Sequence, residues 1–207
     1  MRLQLIALTI ATVAHADTTF TSKVQVYADS DHTTVVSPLV QGAADVTPTT
    51  SVNLGYTADI VSSASVDVVT QASPTRIHDT RQQASGGFSH NFGSLAWHAS
   101  YIFSHENDYL SNTFSTGIDK EMFDKNTTVS LGAALSLNDV GRAHDPNFSE
   151  SLTVASVSAA WTQIISPRLI GQLTYELTND SGFQSSPYRF VPVRASLDAA
   201  PDFWVME

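Results

Sequence analysis

The residues best suited to chemistry in this chain are carboxylates and imidazoles at close spacing. Asp29-Ser30-Asp31-His32 sets two carboxylates two residues apart beside an imidazole, His105-Glu106 precedes Asp108, and His144 adjoins Asp145. Carboxylate oxygens suit Ca²⁺ and imidazole nitrogens suit Zn²⁺ or Cu²⁺. Asp29, Asp31, His32, His105, Glu106 and His144 would therefore form a cation site if the fold brought them together. No segment carries the twelve-residue calcium pattern or a zinc-motif spacing, so these residues read first as polar hairpin tips, and no metal or other cofactor is expected. Nucleophile elbows, H-E-x-x-H and phosphate-binding glycine loops are missing too, and Gly86-Gly87 stands alone. No catalytic residue is assigned, and the chain is not read as an enzyme.

The elements that must position these residues are strands. In residues 51–61, Val52, Leu54, Tyr56, Ala58 and Ile60 alternate with Ser51, Asn53, Gly55, Thr57 and Asp59. Residues 94–104, 127–138 and 168–178 show the same period of two, the mark of a strand with two unlike faces. Weaker alternation at 19–28, 34–46, 80–90, 110–123 and 151–164 completes nine strands. In the last of these, Leu152 and Val154 occupy one parity while Val157, Ala159 and Trp161 occupy the other, so a β-bulge near Ala155 is expected. Most of these strands run past the five or six residues usual in globular sheets and approach the 9–11 that cross a bilayer.

Connections at 47–50, 91–93, 124–126 and 166–168 are short and rich in turn formers. Those at 29–33, 62–79, 104–110, 138–150 and 179–187 read as longer and polar. Short and long alternate along the chain, which in an antiparallel meander puts all the turns at one end and all the loops at the other, as in outer-membrane barrels. The polar parity contributes Asn53, Asp59, His98, Gln172 and Glu176 to the interior of such a barrel. Those side chains would line a water-filled path with a bias toward cations, or fill a plugged, hydrogen-bonded interior.

Bulk properties fit this picture. Charged residues make up 14% of the 207, mean hydropathy is near zero, and there is no cysteine. Averaging over unlike faces hides a transmembrane barrel from hydropathy. A net charge of −10 without a basic patch excludes a nucleic-acid partner. Residues 1–16, MRLQLIALTIATVAHA, have the basic start, apolar core and small-x-small end of a signal peptide, with cleavage expected after Ala16.

Five stretches carry a family resemblance: YADSDHTTVVSPLV (27–40), YTADIVSSASVDVVTQAS (56–73), HENDYLS (105–111), DVGRAHDPNFS (139–149) and TYELTNDSGFQSSPYRFVPV (174–193). They resemble uncharacterised bacterial outer-membrane proteins of domain-of-unknown-function family 3570, over most of the chain and in the same order. The resemblance implies that 17–207 is the N-terminal portion of an antiparallel up-and-down β-barrel in the bacterial outer membrane. Family members are longer and close with further strands, so about nine or ten strands of an incomplete barrel are expected here. The resemblance brings no chemistry. It implies contact with outer-membrane lipid and either a porin-like channel or a sleeve for a periplasmic or surface partner protein. The competing expectation is a soluble secreted β-sheet protein for binding or adhesion, with its apolar faces meeting in a core.

Overall fold

The computed structural model describes residues 4–15, 18–29, 33–63, 77–142, 145–185, 187, 190–193 and 202–205. They form ten long strands: β1 (Gln4–His15), β2 (Thr18–Ala28), β3 (Thr33–Thr47), β4 (Thr50–Ser63), β5 (Ile77–Asn91), β6 (Leu95–His105), β7 (Tyr109–Met122), β8 (Thr127–Gly141), β9 (Ser149–Ser166) and β10 (Leu169–Gly182). These lie in one sheet in chain order, every neighbouring pair antiparallel. A separate hairpin pairs β11 (Phe190–Val193) with β12 (Asp202–Val205). The all-β antiparallel meander is the one that the alternation predicts, and β2 to β10 are its nine strands. The tenth, β1, comes from the segment expected to be a leader, and its junction at residues 16–17 lies outside the described residues.

Because side chains alternate along a strand and match across Cα partners, the registers assign every residue to one of two faces. One face carries Phe20, Val40, Leu54, Tyr56, Trp97, Phe114, Leu131, Leu135, Val157, Trp161, Leu173 and Tyr175, all exposed. The other carries Ser, Thr, Gly, Asn and nearly all the charge. The Asp, Glu, Lys and Arg residues of β2–β10 lie on the polar face except Lys120 and Asp139, which sit near opposite ends of their strands. Polar-face residues are the more buried of the two sets, with Ser104 and Asn138 each 5% exposed against 71% for Leu54 and 69% for Leu173. The sheet therefore curls around its polar face and turns its apolar face outward, the reverse of a soluble core.

The registers also stagger. A row of Cα partners starting at Thr18, the first residue of β2, runs through Ala44, Val52, Phe88, Ala99, Thr116, Ala133 and Val157 to Leu177. Leu177 lies eight residues past Leu169, the start of β10, after eight strand-to-strand steps. One residue of stagger (~3.3 Å) per strand spacing (~4.8 Å) tilts the strands by about 35°, the inclination of a closed barrel wall.

Three sequence expectations change. No register shift occurs near Ala155, since β9 stays in step with both neighbours from Leu152 to Gln163, and the shifts fall instead at Thr9/Ala11, Asp45/Thr47 and Leu169/Ile170. Of the connections expected to be long, that between β2 and β3 spans residues 29–32, within one residue of the expected 29–33, whereas that between β6 and β7 is only 106–108. The latter closes as a tight turn with Glu106 N–H donating to Tyr109 O at 2.7 Å. The strands outrun their alternation, up to 18 residues in β9, because Ser, Thr and Asn at their ends still complete the backbone ladder. Pro38 locally interrupts one ladder: it has no N–H, the β3–β4 pairing skips it, and Thr57 Oγ1 donates to its carbonyl at 3.1 Å.

Candidate functional site

The polar face is where side chains able to bind or conduct are gathered. On it lie all five residues expected in the interior, on three strands: Asn53 on β4, Asp59 likewise on β4 but nearer the loops, His98 on β6, and Gln172 and Glu176 on β10. They are not one cluster. Each is held by its own neighbours, and two local centres emerge.

The first is at mid-height. His98, Gly117, Gly132, Ser158 and Glu176 are successive Cα partners across β6 to β10. The His98 ring lies over Gly117, where a β-carbon would collide with its Nε2 and Cε1, and Nδ1 stands 3.6 Å from Asp119 Oδ2. Ser130 Oγ donates to the other Asp119 oxygen at 2.5 Å. The same device recurs on β4 and β5, where the Asn53 amide covers Gly87. The resulting groove of about 270 Å³ is lined by His98, Ser115, Gly132, Ala134, Ser156, Ser158 and Glu176. The carboxylate of Asp119 stands between Ser130 and His98, so the imidazole does not take the serine proton, and these three do not form a nucleophilic triad. What the groove offers is hydroxyls, an imidazole and one carboxylate, that of Glu176, facing open space.

The second centre is at the loop end. Arg81 Nε donates to Ser104 Oγ at 3.0 Å, its Nη2 to Gln83 Oε1 at 2.9 Å, and the guanidinium lies 3.6 Å from Glu106. Asp59, the Cα partner of Arg81, accepts from Ser37 Oγ at 2.5 Å. Below them Ser111, Thr113, Ser136 and Asn138 share hydroxyl hydrogen bonds of 2.8–3.2 Å, and Asn138 Nδ2 donates to Leu152 O at 2.9 Å. A cavity of about 430 Å³ opens here between Glu106, Asp108, Tyr109, Val140, Leu152 and Phe183. Tyr109, the first residue of β7 beside the 106–108 turn, has its phenol pushed above the usual value, first by burial and then by the Glu106 carboxylate, with Arg81 opposing.

The candidate cation ligands do not converge. Asp31, His32 and His144 lie outside the described residues. Asp29 accepts from Tyr27 OH at 3.2 Å, Glu106 faces Arg81, and His105 points to the opposite face from Ser104. Among the described residues no three His, Asp or Glu side chains are gathered to hold a metal. Asp119, Ser130, Arg81 and Tyr109 were not expected as site residues. Asp119 alternates with Gly117 and Ser115 on the polar parity of β7, a signal visible in the sequence but weak in a strand whose other parity includes Asn112, Thr116 and Lys120.

Fold and polar face together define a class: an antiparallel meander, apolar on one face and polar on the other. The chain belongs to the family described as Protein of unknown function (DUF3570), whose family model matches residues 65–199. No curated protein matches it. Among solved structures, LpxR from Salmonella typhimurium is similar over 87% of this chain and 88% of its own, at 8% identity and a TM-score of 0.36.

Proposed function

We propose that this chain forms wall of a β-barrel in a bacterial outer membrane, with its apolar face in lipid and its polar face lining an aqueous, porin-like path that favours cations. The observation that carries this reading is the segregation of charge, since only Lys120 and Asp139 among the charged residues of β2–β10 lie on the apolar face, both away from its middle. A 35° stagger and exposed outward Leu, Trp and Tyr residues support it, as a bilayer requires both closed hydrogen bonding and an apolar exterior. On the polar face Asp59, Asp119, Glu121, Glu176 and Asp180 outweigh Lys23 and Arg81, which favours cations over anions in the path. The Gly, Ala and Ser residues around the mid-height groove leave the interior unfilled, which supports a path more than a packed plug. Residues 1–16 act as the export signal in this reading, and N-terminal sequencing of the exported chain would begin at Asp17.

The test is reconstitution. The full chain is expected to fold in detergent micelles with heat-modifiable gel mobility and to give potassium-selective conductance in planar bilayers. Asp59→Asn with Glu176→Gln should lower the potassium-to-chloride preference. A chain that folds and stays monomeric in plain buffer would overturn the membrane reading. Folding into bilayers without conductance would replace the path with a sleeve around a partner.

A further inference from the structure

The amphipathic pattern reverses near the loop end of the sheet, without any slip in register. Through most of each strand the outward parity is apolar and the inward parity polar. Beyond a boundary the outward positions become Thr80, Asp139, Ser151, Thr153 and Ser181, with Leu110 the exception, while Val61, Tyr109, Val140, Leu152 and Val154 join Ser111, Asn138, Glu150 and Asp180 on the inward side. Val140 is only 8% exposed on the inward side, and Asp139 beside it is exposed outward. A strand that is apolar-out in one stretch and polar-out in the next has passed from lipid into water.

The boundary can be placed. Outward Gln82, His105, Asn112 and Asn179 stand nine or ten residues from the turn ends of their strands at Asn91, Leu95, Met122 and Leu169. With the strands tilted by about 35°, this level contour is parallel to a membrane plane, whereas a row of Cα partners is not. Phenols reach toward it from the apolar band: Tyr56 OH donates to Gln82 Oε1 at 3.2 Å and Tyr101 OH to Asn112 Oδ1 at 2.6 Å. Such side chains, apolar in body and polar at the tip, suit a lipid–water interface. From outward Lys120 near the turns up to Asn112 on the same strand is eight residues, about 22 Å along the normal at this tilt, close to the ~25 Å apolar band of a barrel.

We infer that the loop-side lipid boundary crosses the sheet at Gln82, His105, Asn112 and Asn179, and that the strand ends above it form a collar standing in water around an apolar interior. This rests on the barrel reading. The collar comprises the loop-end residues of β4, β5 and β7–β10, and its interior is the cavity between Tyr109, Val140, Leu152 and Phe183. Gly182, at φ 109°, turns β10 off its line where a side chain would strike Ser151 O, and Phe183 then packs edge-on to Phe148, their centroids 5.5 Å apart. Arg142 caps the assembly, stacked 4.2 Å over Phe148 and paired with Asp145 at 3.1 Å.

The cysteine-free chain permits a clean test by single nitroxide labels in liposomes, through Ala133→Cys, Leu135→Cys, Asp139→Cys, Leu177→Cys and Ser181→Cys. Oxygen should outcompete a water-soluble nickel chelate as relaxant at 133, 135 and 177, with the preference reversed at 139 and 181. Nickel preference at all five positions would overturn the barrel reading itself. Oxygen preference at all five would leave the barrel and overturn the collar. For the apolar interior, Leu152→Ser should speed tryptic cleavage after Arg142 by about tenfold with heat-modifiable mobility kept, because local opening follows local stability. An unchanged cleavage rate would remove the apolar interior from the proposal.

Discussion

The lower part of the sheet and its loop end use the same strands to opposite purposes. From Val129 to Leu137, β8 turns Val129, Leu131, Ala133, Leu135 and Leu137 outward and Ser130, Gly132, Ala134 and Ser136 inward; two residues later Asp139 faces out and Val140 faces in. Backbone pairing is blind to this change, as β8 and β9 remain in register from Thr127 to Gly141. The lesson is that hydrogen bonding sets the strand while the solvent on each side selects its residues, and the two can change independently.

The sharpest way to break the contrast is to put one charge in each region. Ala133→Arg, in the middle of the apolar band, should cost about 2–4 kcal/mol of stability in lipid, and Ser151→Arg, outward but above the boundary, at most about 1. Urea unfolding in vesicles reads both. Equal penalties would mean that the two stretches share one environment. Next in size is Gly182→Ala, which should cost about 1–3 kcal/mol locally, because the residue holds φ 109° and its new methyl would meet Ser151 O. Hydrogen exchange should quicken in the loop-end residues of β9 and β10 and stay unchanged around Ala133. Gly117→Ala makes the complementary change below the boundary: His98 must lift away from Gly117 and so from Asp119, at about 1 kcal/mol, without loosening the loop end.

The same contrast shows how far the sequence could be read. Stretches with one environment along their length, such as 51–60, are legible directly, because Leu54 and Asp59 obey a single rule. Residues 151–164 are not, because Leu152 and Val157 obey two rules, and a parity change inside one strand looks like a bulge when only one environment is imagined. Loop lengths erred for a related reason: 104–110 is polar, yet Ser104 is buried in the sheet with its hydroxyl on Arg81, and polarity was the only available sign of a loop. Asn53, Asp59, His98, Gln172 and Glu176 could be placed on a face by parity, since parity is local. Their partners could not, because which strand residue faces Asp119 or Arg81 depends on the stagger between strands, and that is decided by tertiary pairing.

The turn end supplies the smallest and most local comparison. Gly182 at the loop end and Gly93 in the β5–β6 turn are glycines at positive φ, 109° and 90°, whereas the β7–β8 turn holds three consecutive non-glycine residues there, Phe123, Asp124 and Lys125, at φ 52°, 53° and 67°. A β-carbon makes that conformation costly by roughly 1–2 kcal/mol per residue, and glycine's greater freedom in the unfolded chain returns part of any gain. The turn holds because Asn126 N–H donates to Phe123 O at 3.0 Å and both flanking strands are fully paired. Lys125 also reaches Glu121 at 3.3 Å, but so exposed a pair adds little. Asp124→Gly should therefore raise stability by about 0.5–1 kcal/mol in urea unfolding, leaving nitroxide depths and tryptic cleavage after Arg142 unchanged. If Asp124→Gly were instead destabilising, the aspartate would be making a contribution to the turn that exceeds its backbone strain, and this turn would differ from the Gly93 and Gly182 positions in side-chain chemistry rather than in the residue chosen for one backbone conformation.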